Sequence, residues 1–299
     1  MKTENTDKDK RAISFAILAA ALYAVSTPAS KKLLQNVQPS MMAAFLYLGA
    51  GIGMSALNLF GRNLHFAQKE ENLSLHDWPY VLSMIVLDIA APLLMMFGLS
   101  HTTASSASLL NNFEIVATSL IASMLFHERV NRQLWVAILL VFTASVLLTF
   151  NGDQTSLKFS WGAVLVIGAT ICWGLENNCT RQIADKNPCQ IVIFKGFGSG
   201  LASLAIAFIS GEALPSLPTI AAICTLGFVS YGLSIYFYTY SQRTIGAAQT
   251  STYYACAPFI GVLLSILLLG ESLTLVFCIA FILMAVGMLL AARAEVNKK

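Results

Sequence analysis

Four ionisable side chains stand inside long apolar runs: Asp88 in MIVLDIAAP, Glu114 in NNFEIVA, Glu176 in CWGLENN and Lys195 in VIFKGFG. At bilayer depth each such charge costs at least about 2.5–3.5 kcal/mol on insertion scales, so each marks a functional hypothesis. Glu114 has Phe113, Ile115 and Val116 around it, surroundings that disfavour the ionised form and suit a carboxylate that takes up and releases a proton. On its helical face Asn111 lies one turn earlier and Thr118 one turn later. Glu176 shares a face with Trp173, Cys179 and Thr180, and an acid beside an aromatic ring suits a cationic or zwitterionic amine through charge pairing and cation–π attraction. Glu176 and Lys195 fall on successive antiparallel helices at similar depth, so they can also pair only with each other, as a structural lock. Asp88 precedes Pro92 by four residues, where a proline removes one backbone hydrogen bond and kinks a helix; it reads equally as a site acid, a hinge or a partner for freed backbone groups.

Aromatic hydroxyls add to this layer. In SYGLSIYFYTYSQR, Tyr231, Ser234 and Tyr238 share one face, and Tyr254 follows on the next helix. Such residues line cavities for flat or amphiphilic metabolites, although tyrosines at helix ends, as at Tyr236 and Tyr240, also form an interfacial belt. Glu128 and Glu271 each stand at the start of a helix, where an acid complements the helix dipole, which favours a structural role. His101 and His127 fall at helix ends and read as solvated.

The elements that must position these residues follow from composition. The chain has 299 residues, 57% hydrophobic and 11% charged, with mean hydropathy +0.70, and a soluble globule cannot hide that much apolar surface. Apolar runs over 12–34, 40–60, 78–99, 103–126, 133–150, 160–182, 189–210, 216–240, 245–269 and 273–292 are each long enough to cross about 30 Å of hydrocarbon as a helix. The sequence therefore predicts an all-α integral membrane protein with ten transmembrane helices. The four ionisable residues fall in one layer near the midplane. The second, fifth and tenth helices carry no charge, which suits lipid-facing or subunit-facing positions.

Lysine and arginine positions orient the bundle. With the N-terminus inside, fourteen fall on the inner side, against Lys31, Lys32 and Lys158 outside. This bias predicts a multi-pass protein of the cytoplasmic membrane with both termini cytoplasmic. Residues 1–11 read as a retained cytoplasmic tail rather than a signal peptide, and 293–299 as a second tail. The halves 12–150 and 160–292 resemble each other. Ala104 to Leu147 aligns without gaps on Ala247 to Leu290, pairing Glu128 with Glu271, and LYAVSTPASKKL lies over CWGLENNCTRQI. Five crossings per half place the second half upside down, giving two inverted five-helix repeats. In secondary transporters of that architecture the binding site lies at the repeat interface.

The paired endings ASLLNNFEIVATSLIASMLFHERV and TSTYYACAPFIGVLLSILLLGESL, with Trp173-Gly174 in the sixth helix, carry a resemblance over nearly the whole chain. The chain resembles the drug/metabolite transporter superfamily in its ten-helix form with two EamA-type repeats. The resemblance implies transport without naming the cargo. The first half departs from the pattern, with Ile115 where Pro258 stands in the second and an acid, Glu114, beside it.

Other classes lack support. The six cysteines show no C-x-x-C spacing, so neither a disulfide framework nor a metal site is indicated. Net charge is only +3, with basic residues singly at helix ends, which gives nucleic acid no binding surface. No Walker motif, HExxH or nucleophile elbow is present, and no cofactor is implied. The expectation is a secondary active transporter that exports an amine-bearing or amphiphilic compound, such as an amino acid or drug-like molecule, with protons as the coupling ion. The alternative is import of a quaternary ammonium or similar nutrient. More distant are an intramembrane enzyme using Asp88 and Glu114 as acid and base, and a membrane scaffold. The expected substrate-binding or proton-coupling residues are Glu114, Glu176, Lys195, Asp88, Trp173, Asn111, Tyr231, Tyr238 and Tyr254.

Overall fold

The computed structural model describes residues 2–60, 73–126, 131–150, 159–183, 186–245, 250 and 253–296. The architecture is all-helical. In chain order the described helices are α1 (Lys2–Ala24), α2 (Ser26–Leu33), α3 (Pro39–Phe60), α4 (Trp78–Ser100), α5 (Ala104–Leu110), α6 (Phe113–Phe126) and α7 (Arg132–Thr149). They continue as α8 (Trp161–Arg181), α9 (Pro188–Ile209), α10 (Leu217–Gly227), α11 (Ser234–Ile245), α12 (Ala257–Leu269) and α13 (Leu275–Val296).

Eight helical stretches among the described residues are long and apolar enough to cross a membrane, and α12 is a shorter apolar helix. The 21-residue α8 falls outside the eight because Thr170, Glu176, Asn177, Asn178 and Thr180 dilute its hydropathy. Those polar residues are the ones nearest the chemistry described below.

Four stretches that the hydropathy pattern reads as single helices are broken. The first splits at Val25, where Pro28 has no N–H to return to the Ala24 carbonyl. The fourth splits at Asn111 and Asn112. There the Asn112 side-chain amide donates to the Leu109 carbonyl at 3.0 Å and competes with the helical ladder. Between α10 and α11, Phe228–Leu233 form a π-helical turn, an irregularity frequent at functional sites. Hydroxyls within and beside it reach α1: Ser230 donates to the Leu22 carbonyl and Ser234 to the Ala19 carbonyl, both at 2.9 Å. Finally, a turn at Ala255 and Cys256 precedes α12, whose second residue is Pro258.

Packing pairs α3 with α9, α4 with α8, α7 with α13, α1 with α11 and α5 with α12. The α3–α9 contact is so close because Gly51 and Gly196 meet there: a Cβ on Gly196 would lie 2.5 Å from Gly51 backbone atoms. The expectation that the uncharged second helix faces lipid or another subunit is overturned. The most apolar stretch of α3 is 72% buried, against 33–44% for the other seven candidate spans, with Met41, Met42, Leu46 and Met54 fully enclosed. Absence of charge in α3 reflects its place between α9, α10 and α4 rather than contact with lipid. By contrast α7 and α13 do present outward apolar rows, including Leu139 and Phe142 on one and Ile282 and Leu289 on the other.

Candidate functional site

Three of the four intramembrane charges form one cluster. Lys195 on α9 lies 3.1 Å from Asp88 Oδ2 on α4 and 3.0 Å from Glu176 Oε1 on α8, so one ammonium serves two carboxylates. Asp88 is fully buried, Glu176 nearly so, and the Lys195 side chain retains only 14% exposure. The expected Glu176–Lys195 pair is present. Asp88, which sequence spacing left near a kink, is its third member, held because α4 lies along both α8 and α9. Tyr47 of α3 donates from its hydroxyl to Asp88 Oδ1 at 3.1 Å, and Thr180 donates to Glu176.

Glu114 stands apart from this cluster. Asn177 of α8 donates its side-chain amide to Glu114 Oε1 at 2.6 Å and approaches the Thr118 hydroxyl at 3.5 Å. Asn178 secures the same crossing by donating to the carbonyls of Thr118, at 3.1 Å, and Gly174, at 2.8 Å. Among the described residues no lysine or arginine lies within ion-pair distance of Glu114. It begins α6, just after the break, and its backbone N–H donates to the Asn111 carbonyl at 3.1 Å. Asn111 is buried, and its side-chain oxygen finds no hydrogen-bond partner among the described residues.

The tyrosines gather where the broken helices meet. Tyr23 of α1 lies 5.9 Å, centroid to centroid, from both Tyr231 and Tyr254; Tyr47 lies 5.5 Å from Tyr231, and Tyr238 packs edge-on to Tyr254 at 4.9 Å. The Ser26 hydroxyl donates to the Tyr231 hydroxyl at 3.2 Å, and the Ser234 and Tyr254 hydroxyls are 3.4 Å apart. Trp173 is buried beside the Tyr47 hydroxyl rather than open to one side of Glu176. The structure thus brings together Tyr231, Tyr238 and Tyr254 in one aromatic group, and Asp88, Glu176 and Lys195 in one ionic group, with Tyr47 touching both.

Sequence reasoning missed Tyr47, Asn177 and Ser26. Asn177 had a signal, since two consecutive asparagines follow Glu176 inside an apolar helix. Tyr47 had a weaker one, as the only tyrosine of a helix without charge. Glu128 and His127 lie outside the described residues. Exposed His101 shares its ring nitrogen with the Ser100 hydroxyl and the Phe97 carbonyl. Among the described residues no group of three His, Cys, Asp or Glu could hold a metal ion.

Intramembrane charges, broken helices and aromatic hydroxyls gathered in this way are features of membrane carriers. The model of the EamA-like transporter family matches residues 10–150 and again 160–293. The chain belongs to the EamA-like transporter family. A relative in Methanothermobacter thermautotrophicus, described as an uncharacterized transporter, is 25% identical over 290 residues, covering 91% of this chain and 83% of its own. The Escherichia coli K12 inner membrane transporter YedA, also described as uncharacterized, is 24% identical over 244 residues, 79% of this chain and 76% of its own. One protein of known crystal structure superposes with a TM-score of 0.67 over 96% of this chain and 98% of that one; at 16% identity the likeness concerns the fold alone. This EamA-like protein is therefore a multi-pass membrane transporter of the drug/metabolite superfamily and not an enzyme. Its surroundings are the lipid bilayer and its cargo is a small molecule.

Proposed function

We propose that this transporter is a secondary active carrier of the cytoplasmic membrane that exports an amine-bearing or amphiphilic compound in exchange for protons. Ten crossings in two inverted five-helix repeats, 12–150 and 160–292, with 1–11, 293–299 and both termini in the cytoplasm, provide its frame. The observation that carries this reading is the contrast between the acids. Lys195 is committed to Asp88 and Glu176, whereas Glu114 is held by the neutral amide of Asn177.

Half-buried among helices and without a counter-cation among the described residues, the Glu114 carboxylate is stabilised by binding a proton or another cation. Glu114 therefore alternates between a proton and the substrate ammonium. Competition for one carboxylate couples the two fluxes, since each occupant must leave before the other enters. The tyrosines supply ring faces for the cation, Asn111 supplies a free carbonyl oxygen, and Trp173 with Tyr47 fixes the ionic group beside them. The tyrosine cluster alone equally suits a quaternary ammonium, which keeps import of such a nutrient as the second reading.

The test is a thermal-shift screen of purified protein against amino acids, primary amines and quaternary ammonium compounds at several pH values. An amine ligand should raise the melting temperature at neutral and alkaline pH. The rise should shrink as pH falls, because a protonated Glu114 no longer attracts the cation. Glu114→Gln should remove the rise at every pH, and a ligand effect untouched by that change places the substrate elsewhere.

A further inference from the structure

At the membrane face remote from the N-terminus, two charged side chains from opposite sides grip the connection between α4 and α5. Lys31, in the last turn of α2, donates to the carbonyls of Leu99 at 2.7 Å, Ser100 at 3.4 Å and Thr102 at 2.7 Å. Glu271 reaches it from the turn after α12. One of its oxygens accepts from the Ala104 backbone N–H at 2.7 Å; the other accepts from the Ser105 N–H at 2.8 Å and the Ser105 hydroxyl at 2.6 Å. Gly270, left-handed with φ 65°, makes the turn that aims Glu271 away from its own following helix and onto this one. The acid expected to serve the helix after it instead bonds residues 166 and 167 positions away.

Beneath the grip runs a buried polar seam. Ser30 of α2, Ser108 of α5, and Asn111 and Asn112 at the break each carry a buried side-chain oxygen with no hydrogen-bond partner among the described residues. The seam is pressed shut against α12: a Cβ on Gly261 would lie 2.9 Å from the Ser108 hydroxyl and 3.4 Å from the Ala24 carbonyl. Unpaired polar atoms at such depth are costly. Where the helices part, water can reach and solvate these groups.

We propose that Lys31 and Glu271 form the latch that keeps this face closed, and that its release opens the polar seam of α2, α5 and α12 as the path between the site and that face. The α2 and α12 segments part from the α4–α5 connection, and Ser30, Ser108, Asn111 and Asn112 become the wetted wall. The latch concerns access to the site and not the identity of the cargo, so it stands or falls separately from the role given to Glu114.

Hydrogen exchange of the full chain in lipid nanodiscs, read by mass spectrometry, tests it. In Lys31→Met and in Glu271→Ala, amides of 104–112 and 26–33 should exchange about tenfold faster or more, the effect of losing charge-assisted bonds. The stretch 188–209 should keep its wild-type rates. Glu212 is the control: it accepts from the Ser40 and Met41 backbone N–H groups at 3.2 and 2.8 Å on the same face, and Glu212→Gln should leave 104–112 unchanged. If either latch variant fails to fold, Ser105→Ala, which removes a single donor, should speed the same segments by a smaller factor. Unchanged exchange at 104–112 in folded variants overturns the latch, as does acceleration spread evenly over 188–209.

Discussion

At the scale of residues, the sharing of Lys195 between two acids changes what each substitution should do. Glu176→Gln leaves the ammonium paired with Asp88, 3.1 Å away, so it should cost less than the roughly 3–5 kcal/mol that breaking a buried pair removes. Lys195→Met leaves two carboxylates facing one another in the interior and should cost that full amount. Adding Asp88→Asn and Glu176→Gln to it should restore most of the melting temperature. Equal losses from Glu176→Gln and Lys195→Met would show that Asp88 contributes no pairing.

The four intramembrane charges were legible from sequence because charge inside an apolar run is conspicuous. The pairing of Glu176 with Lys195 was legible too, from their similar depth on successive helices; the place of Asp88 beside the same lysine was not. Asp88, Glu176 and Lys195 come from three helices, and only their packing shows that one lysine reaches both acids. The same holds for Tyr47, whose importance lies in pointing at Asp88 rather than in its own surroundings along the chain.

At the scale of elements, hydropathy located the apolar runs and not their interruptions. Pro28, Asn111 with Asn112, and Pro258 are visible signals, yet apolar residues continue on both sides and the pattern reads through them. The π-helical turn has no such marker; it depends on Ser230 and Ser234 reaching carbonyls of α1. Assigning α3 to the lipid face failed because lack of charge fits a central helix as well as a peripheral one. The glycines that allow its burial also differ from each other. A Cβ on Gly196 would meet Gly51 backbone at 2.5 Å, whereas one on Gly51 would meet Phe197 backbone at 3.1 Å. Gly196→Ala should therefore destabilise by about 1–3 kcal/mol, the usual cost of overpacking, and Gly51→Ala by less. Thermal melting of the two variants checks the order, and a more stable Gly196→Ala would contradict the close α3–α9 crossing.

At the scale of the whole molecule, the resemblance between halves visible in the sequence is matched by a family model that fits each half in turn. The principal pairings follow a symmetric scheme, with α3 on α9 and α7 on α13 joining corresponding elements across the halves. The site departs from that symmetry. Glu114 aligns with Ala257, Asp88 with Tyr231 and Lys195 with Leu46. The residues that we propose meet cargo and proton are thus one asymmetric set and not repeat-related pairs.

The central claim, that Glu114 alternately binds a proton and the cargo, is tested most directly by transport in proteoliposomes under an imposed pH gradient, using the amine found by the thermal-shift screen. Wild-type protein should accumulate that amine against its gradient and lose the accumulation when the pH difference is collapsed. Folded Glu114→Gln should neither accumulate it nor respond to the pH difference. Uphill accumulation by Glu114→Gln on the same gradient would contradict the account.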